Sequence, residues 1–173
     1  MKVKIAIIAI LMILIGCKRS QKGFEKIVPI DGIERIEKIT ESDRFSKDGE
    51  FAYNVQYAHF KTNQVESRGP CDIQTFNNEF EAFNWTEQLT EANKLGTVSP
   101  TLSVRHNPTK HELGISVVGN NEYDYGFWIF FGKQGTMELV EVLDEKAVKP
   151  YINKFFNRDF ENLQNEFNDL SID

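Results

Sequence analysis

Four segments in the second half of the chain have the apolar patterning of β-strands. Their apolar positions are, in order, Leu102 and Val104; Leu113, Ile115 and Val117; Tyr125 to Phe131; and Met137 to Leu143. The connections at 105–111 and 132–135 are short, which requires antiparallel neighbours. We therefore expect a four-strand meander over about residues 101–143. The third segment is apolar on both faces, so it is predicted to be a central strand with Trp128 in the core.

Helical periodicity lies on both sides of this predicted sheet. Residues 77–95 carry apolar side chains at roughly helical spacing, with Gly96 where a C-cap is expected and Asn77 or Thr75 as the N-cap. After the sheet, Pro150 is predicted in the first turn of a helix. An amphipathic stripe then consists of Phe160, Leu163, Phe167 and Leu170. This order predicts an α+β domain with helices packed on one face of an antiparallel sheet.

The region before the first predicted helix is less regular. Residues 24–49 carry isoleucine at every third position over part of their length, which favours helical or turn-like packing, but Pro29 and Gly32 interrupt the pattern. Residues 51–59 alternate in a way that predicts a strand with an aromatic face. A helix is the alternative there, because some of the same residues also share a helical face. Gly69-Pro70 predicts a turn.

The start of the chain has the pattern of an export signal. Lys2 and Lys4 form a basic start, and an unbroken apolar run of eleven residues follows from Ile5 to Ile15. This run is too short to span a bilayer, which takes about 20 apolar residues. Small Gly16 directly precedes Cys17, so a secretory signal is predicted.

The four residues Leu14-Ile15-Gly16-Cys17 resemble the lipobox of bacterial lipoproteins. The resemblance implies that the Cys17 thiol receives a diacylglycerol, that the chain is cut before Cys17, and that the new amine is acylated. It further implies a signal peptide over 1–16, a lipidated tether over 17–23 and one globular domain over 24–173. An ordinary signal peptide with a chance cysteine, or an N-terminal membrane helix, is the alternative. The residues after Cys17 lack the retention Asp of that family, which favours the periplasmic face of an outer membrane.

The charge balance restricts the class of partner. Residues 17–173 hold 18 basic and 26 acidic side chains, a net charge of −8, and residues 120–173 hold 11 acidic against 5 basic ones. Nucleic-acid binding calls for a basic patch, so we do not expect it. An acidic balance is compatible with a basic protein partner, and it also serves solubility.

No catalytic, metal or cofactor motif is recognisable. His106 and His111 lie near opposite ends of one predicted loop and could approach each other, but with His59 they do not form a zinc ligand set. Ser116 lies within a predicted strand and not at a nucleophile elbow. Cys71 is expected to be a small buried apolar residue. We therefore predict a non-enzyme without metal or cofactor.

The predicted contact surface is the loop that precedes the third strand. Glu122, Tyr123 and Asp124 combine acidic and aromatic side chains, a composition typical of protein interfaces. Trp85 lies between the faces of the first predicted helix, so we expect it to be partly exposed and to join this surface. A solvated hairpin tip is the plainer interpretation of the loop.

A second resemblance concerns the domain itself. The order of a helix, the segments Ser99–Val104 and Glu112–Val117, and closing helices is similar to small bacterial immunity-type proteins over about residues 72–170. This resemblance implies a compact α+β domain that neutralises a toxin by binding it, and it assigns no individual residue. The alternatives are a structural or assembly lipoprotein of the cell envelope and an undetected hydrolase.

Overall fold

A computed structural model describes residues 24–30, 33–39, 43–133 and 136–170, with backbone alone in the first two ranges. The described residues form an α+β fold, as predicted. Its elements are β1 (Phe24–Ile30), β2 (Ile33–Ile39), β3 (Phe51–Gln56), β4 (Gln64–Cys71), α1 (Ile73–Ala82), α2 (Trp85–Leu95), β5 (Thr101–His106), β6 (His111–Asn121), β7 (Asp124–Lys133), β8 (Thr136–Val142), α3 (Glu145–Phe156) and α4 (Phe160–Leu170). The signal peptide, the tether and Cys17 lie outside the described residues.

The strands form one open sheet in the order β2-β1-β4-β3-β5-β6-β7-β8. The six strands from β4 to β8 in this order are antiparallel to their neighbours, while β1 pairs with β4 in parallel. The predicted meander corresponds to β5–β8 and is therefore one part of a larger sheet. Local pattern did not reveal this, because β3 joins β5 across two intervening helices.

The core lies between the helices and one face of the sheet. Alternate residues of β3, β5, β6 and β7 point into it, and each of the four helices contributes buried side chains. The largest fully buried side chains are Phe45, Phe76, Phe80, Phe127, Phe131, Phe155 and Phe167. Many of these rings meet edge-on or tilted, a geometry worth about 0.5–1.5 kcal/mol per pair beyond area burial. We call the side of the sheet away from the helices the outer face.

Trp128 lies on this outer face, so its predicted place in the core is wrong. Its neighbours Phe127 and Ile129 are fully buried on the helix side, whereas Trp128 is 40% exposed. β7 is apolar on both sides, but helices cover only one of them. The apolar pattern therefore indicated two covered faces where the fold provides one.

The outer face of β5 and β6 is polar. Its side chains include buried Ser103, Arg105, Glu112 and Ser116. Phe45 packs over part of this face, with the guanidinium of Arg44 5.0 Å and that of Arg105 4.7 Å from the centre of its ring. Arg44 also forms an ion pair with Glu112. The segment before β3 is thus anchored to the sheet by cation–π contacts and one partly buried ion pair.

Two predictions of helical or turn structure in the first half of the chain are wrong, because strands lie there. Residues 24–30 and 33–39 form the antiparallel pair of β1 and β2, in which Ile27 lies opposite Ile36, and not a helical or turn-like segment. Gly69-Pro70 lies within β4 and not in a turn. The register of β3 with β4 shifts there, which leaves Arg68 as an extra residue beside Gly69, whose φ is +84°. Gly69 therefore marks a β-bulge.

The predicted helix over 77–95 is two helices. α1 starts one turn earlier than expected, because the side chain of Asp72 caps it by accepting a hydrogen bond from the Thr75 N–H at 2.7 Å. The chain breaks helical geometry at Phe83 and starts α2 at Trp85. Gly96 caps α2 with φ +62°, which confirms the predicted C-cap.

The closing helices begin earlier than Pro150 suggested. α3 starts after Asp144, whose side chain accepts a hydrogen bond from the Ala147 N–H, so Pro150 is the sixth residue of the helix and not in its first turn. The stripe on α4 is present, with Leu163 and Phe167 buried. No helix in the described part of the chain is long and apolar enough to cross a membrane.

Candidate functional site

The hairpin between β6 and β7 presents Tyr123 at a well-ordered tip. Asn121 pairs with Asp124 across the hairpin, and its side-chain oxygen accepts the Tyr123 N–H at 2.9 Å. The side-chain amide of Asn120 donates to Asp124 at 2.8 Å. Tyr123 is 89% exposed and Glu122 beside it is also exposed. The tip therefore fixes its own backbone and leaves an aromatic ring and a carboxylate free for contact.

Helix α2 holds this tip in place. The side-chain amide of Asn93 donates to the carbonyl oxygens of Gly119 and Asn120, at 3.2 and 3.1 Å. These hydrogen bonds join the helix to the base of the tip, and the polar face of the helix lies beside the hairpin.

A groove of about 620 Å³ lies between them, and we call it the acidic groove. Its lining comprises Asn84, Thr86, Glu87, Thr90, Glu91, Lys94 and Glu122. The charged groups of the lining are thus three carboxylates and one ammonium group. Such a groove favours an entering basic side chain over an acidic one.

The acidic groove carries like charges that a partner could relieve. Glu87 and Glu91 are four residues apart on α2, so their side chains are neighbours on one helix face. Such a pair costs an isolated helix about 0.2–0.5 kcal/mol. Lys94 lies three residues beyond Glu91 and offsets part of this repulsion. A bound lysine or arginine would offset the rest.

The structure brings the predicted site residues together with one exception. Glu122 lines the acidic groove. Tyr123 follows it at the hairpin tip, and Asp124 lines a separate pocket with Trp128 and Leu143. Trp85 does not join them, because it is only 3% exposed, and its predicted partial exposure is wrong. Its indole N–H donates to the Phe80 carbonyl at 3.0 Å.

The reason for the error is the helix break before Trp85. A continuous helix over 77–95 would place this residue between two faces, but the second helix starts at Trp85 with a new direction. Its ring therefore turns inward and meets Phe127 edge-on at 5.2 Å. Glu87 and Glu91 were not singled out from the sequence, because nothing local shows that α2 packs beside β6.

The two loop histidines do approach each other, as the sequence suggested. The hydroxyl of Thr109 lies 2.8 Å from Nδ1 of His106 and 2.8 Å from Nδ1 of His111. On its other side, Nε2 of His106 lies 3.1 Å from Glu50, whose carboxylate accepts two hydrogen bonds of 2.6 Å from Arg158. Glu50 and Arg158 were missed because they are distant in sequence.

This network has the order hydroxyl, imidazole, carboxylate, but its geometry is that of a structural tie. Two imidazoles share the hydroxyl of Thr109, and Arg158 occupies the carboxylate of Glu50. Glu50 and Arg158 line a pocket of about 280 Å³ together with Cys71, but their side chains are engaged with each other there. The network joins the segment before β3 to the α3–α4 junction.

The remaining chemical candidates are equally unreactive in geometry. Burial raises the pKa of the Cys71 thiol to about 12, so it stays protonated at neutral pH and is a poor nucleophile. The Ser116 hydroxyl lies 2.6 Å from that of Thr101 on the neighbouring strand. Among the described residues, no group of three or more histidine, cysteine, aspartate or glutamate side chains is placed to hold a metal ion.

Comparison with known proteins adds no assignment: no family model matches the chain, and no curated protein or solved structure matches it either. The acidic groove and the N-terminal sequence are therefore the features of this chain that bear on its function.

Proposed function

We propose that this protein is a membrane-tethered envelope lipoprotein that binds another, basic protein through the acidic groove and the adjoining hairpin tip. Within this class, neutralising a toxin in the manner of immunity-type proteins is the role we favour. The resemblance of the N-terminal sequence to the lipobox supports the tether, and the groove supports the binding.

The observation that carries the proposal is the joint placement of Glu87, Glu91 and Glu122 beside exposed Tyr123. Clustered charge of one sign speeds the encounter with a partner of opposite charge. An exposed tyrosine provides a rigid anchor that can be buried at small entropic cost. The hydrogen bonds from Asn93 fix both parts before binding, so little ordering is left to oppose association.

The tether restricts where this binding occurs. A Cys17 that carries a diacylglycerol and an acylated amine would hold the chain stably on its membrane, because two or more acyl chains anchor where one does so only marginally. Confinement raises the effective concentration of the domain against a partner that reaches the same membrane.

Affinity capture from the native envelope, with the full lipidated chain as bait, tests the proposal. We expect a basic partner whose association slows as salt is raised. The double variant Glu122→Lys with Glu91→Lys should weaken its binding by about ten- to a hundred-fold, or about 1.4–2.8 kcal/mol. Circular dichroism should show an unchanged fold.

A matched control separates this site from the overall charge. Glu161→Lys with Asp169→Lys on α4 makes the same change in net charge on another helix and should leave affinity within about threefold, the range of about 0.65 kcal/mol. Equal losses in both double variants would remove the acidic groove from the site. Turnover of a small substrate by the purified protein, abolished by one substitution such as His106→Gln, would favour a hydrolase instead.

A further inference from the structure

One edge of the sheet is left without a neighbouring strand. β8 pairs with β7 and, among the described strands, with no other. An edge strand presents a row of backbone N–H and C=O groups to any further strand. Proteins commonly protect such edges with charged side chains, above all lysine, with proline, with a bulge or with a very short strand. The seven residues of β8 contain neither proline nor lysine, their register with β7 has no shift, and their charged side chains are Glu138 and Glu141.

The outer face beside this edge is mainly apolar, with Glu141 opposite Trp128 as its charged residue, in contrast to the polar outer face of β5 and β6. Trp128 and Met137 are 40% and 36% exposed, and Leu143 is 82% exposed. Phe130 and Leu139 lie opposite each other on β7 and β8 and are half-buried. We call these five residues the edge patch. An apolar patch that adjoins an open strand edge marks an interaction surface.

We propose that the occupant of this edge is a second copy of the chain, which pairs antiparallel through β8 so that the two sheets become continuous. A two-fold axis at Leu139 would place Leu139 opposite its own copy, Met137 opposite Glu141, and Glu138 opposite Val140. The axis is perpendicular to the sheet and keeps both helix layers on the same side.

Charge along β8 is compatible with this register. Its two charged residues, Glu138 and Glu141, would each lie opposite an apolar residue, so no carboxylate faces another. Like charges directly opposite destabilise strand pairs, and apolar pairs stabilise them. If the two-fold axis lay at Glu138 instead, the pairing would shift by two residues and Glu138 would lie directly opposite its own copy. With the axis at Leu139, the charges of β8 therefore do not oppose its pairing with a second copy of itself.

The edge patch gives the pair an apolar contact besides its backbone hydrogen bonds. Met137 and Leu139 of both copies would form one continuous strip on the outer face, flanked by Trp128 and Phe130. A strand of seven residues makes a small interface, so the dimer is expected to be weak and dependent on concentration. This inference does not depend on the acidic groove, which α2 and the hairpin tip form.

Cross-linking of the purified full chain in detergent tests the inference. Leu139→Cys, treated with a short bismaleimide, should give several-fold more covalent dimer than Tyr123→Cys, although Tyr123 is far more exposed. The unsubstituted chain, which carries Cys17 and Cys71 in common with both variants, provides the background. An unchanged melting temperature for Leu139→Cys shows that the strand is intact.

The register is tested by mixing two cysteine variants whose chains differ in length, so that a cross-linked pair of unlike chains can be told from a pair of like chains. Met137→Cys should cross-link to Glu141→Cys several-fold more than either variant cross-links to itself. Dimer yields that are no higher for Leu139→Cys than for Tyr123→Cys would overturn the inference. So would equal yields from every cysteine along β8, which would indicate random collision, as expected if a different protein covers this edge.

Discussion

At the scale of the residue, His111 shows how the fold controls a titratable group. Its ring stacks on Phe160 at 4.5 Å and on Phe131 at 5.6 Å between ring centres. Burial, with smaller effects of Lys133 and His106, holds the pKa of His111 below its ordinary value of 6.5. The folded protein therefore prefers the neutral imidazole, while the unfolded chain protonates as usual.

The consequence for stability is a loss on mild acidification. At pH 8 the imidazole is neutral in both states. As pH falls through about 6.5, the unfolded chain binds the proton first, which stabilises the unfolded state relative to the folded one. His111→Phe keeps an aromatic ring between Phe131 and Phe160 but removes the titration. We expect its melting temperature to fall less between about pH 7.5 and pH 5 than that of the unsubstituted chain.

A second histidine variant provides the control, and the pH range of the measurement is chosen above that in which Glu50 titrates. His59→Phe, at a ring that stacks on Tyr57 outside this cluster, is the matched change of histidine to phenylalanine at another position. The hydrogen bonds of Arg158 and His106 lower the pKa of Glu50, so its contribution is lost only as pH falls below the ordinary 4.5 of a glutamate. Parallel melting curves for His111→Phe and the unsubstituted chain above pH 5 would contradict the assignment.

At the scale of the element, the hairpin of β6 and β7 depends on a glycine where a side chain has no room. Gly119 has φ +139°, and a Cβ there would lie 2.6 Å from the Cα of Tyr125 and overlap the carbonyl oxygen of Asp124. The backbone of the two strands must separate to admit it. Gly119→Ala should therefore lower the free energy of unfolding by about 1–3 kcal/mol, measured by urea denaturation.

A glycine on the same strand provides the comparison. A Cβ at Gly114 would make ordinary contacts of 3.6 Å with Phe130 and Ser103, at a φ that any residue adopts. Gly114→Ala is expected to change the free energy of unfolding by less than about 1 kcal/mol. If both variants lose the same free energy, close packing at Gly119 does not explain the effect.

Elements were predictable from the sequence where their evidence is local. The alternation around Leu113 and Ile115 marks β6 directly, and Gly96 marks the end of α2, because each pattern needs only neighbouring residues. The break before Trp85 was not predictable, since it depends on how that ring packs under α1. The pairing of β1 and β2 was missed because isoleucine at every third position does not follow the two-residue period of a strand.

The residues of the candidate site likewise differ in whether local sequence pattern could predict them. Tyr123 and Glu122 stood out because a hairpin tip is a local feature with a recognisable composition. Glu87 and Glu91 gain significance only because Asn93 joins α2 to the hairpin. The ion pair of Glu50 with Arg158 spans 108 residues of sequence, and no pattern of charges along the chain indicates which of many such pairs will form.

At the scale of the whole molecule, the acidic groove and the edge patch consist of different residues, although Asp124 of the hairpin lines a pocket with Trp128 and Leu143. The acidic groove lies at α2 and the hairpin tip, whereas the edge patch lies along β7 and β8 on the outer face. A chain of this form can hold one partner by charge and a second copy by strand pairing without competition for the same residues. The two proposals are therefore tested by different substitutions.

The proposed tether would hold this domain at the membrane, and Cys17→Ala tests it directly. The thiol of Cys17 is the acceptor that the lipobox resemblance assigns, and residues 5–15 form an apolar run too short to span a bilayer. Without the thiol, the lipid cannot be attached and the cut that follows lipidation should fail. We expect an unprocessed precursor in whole cells, heavier than the mature chain by the signal peptide over 1–16 and lacking acyl chains by mass spectrometry. Cys71→Ala, the matched change at the other cysteine, should leave processing and membrane fractionation as they are. A Cys17→Ala chain that is cut before residue 17 and stays on the membrane without lipid would show that something other than this cysteine attaches the protein.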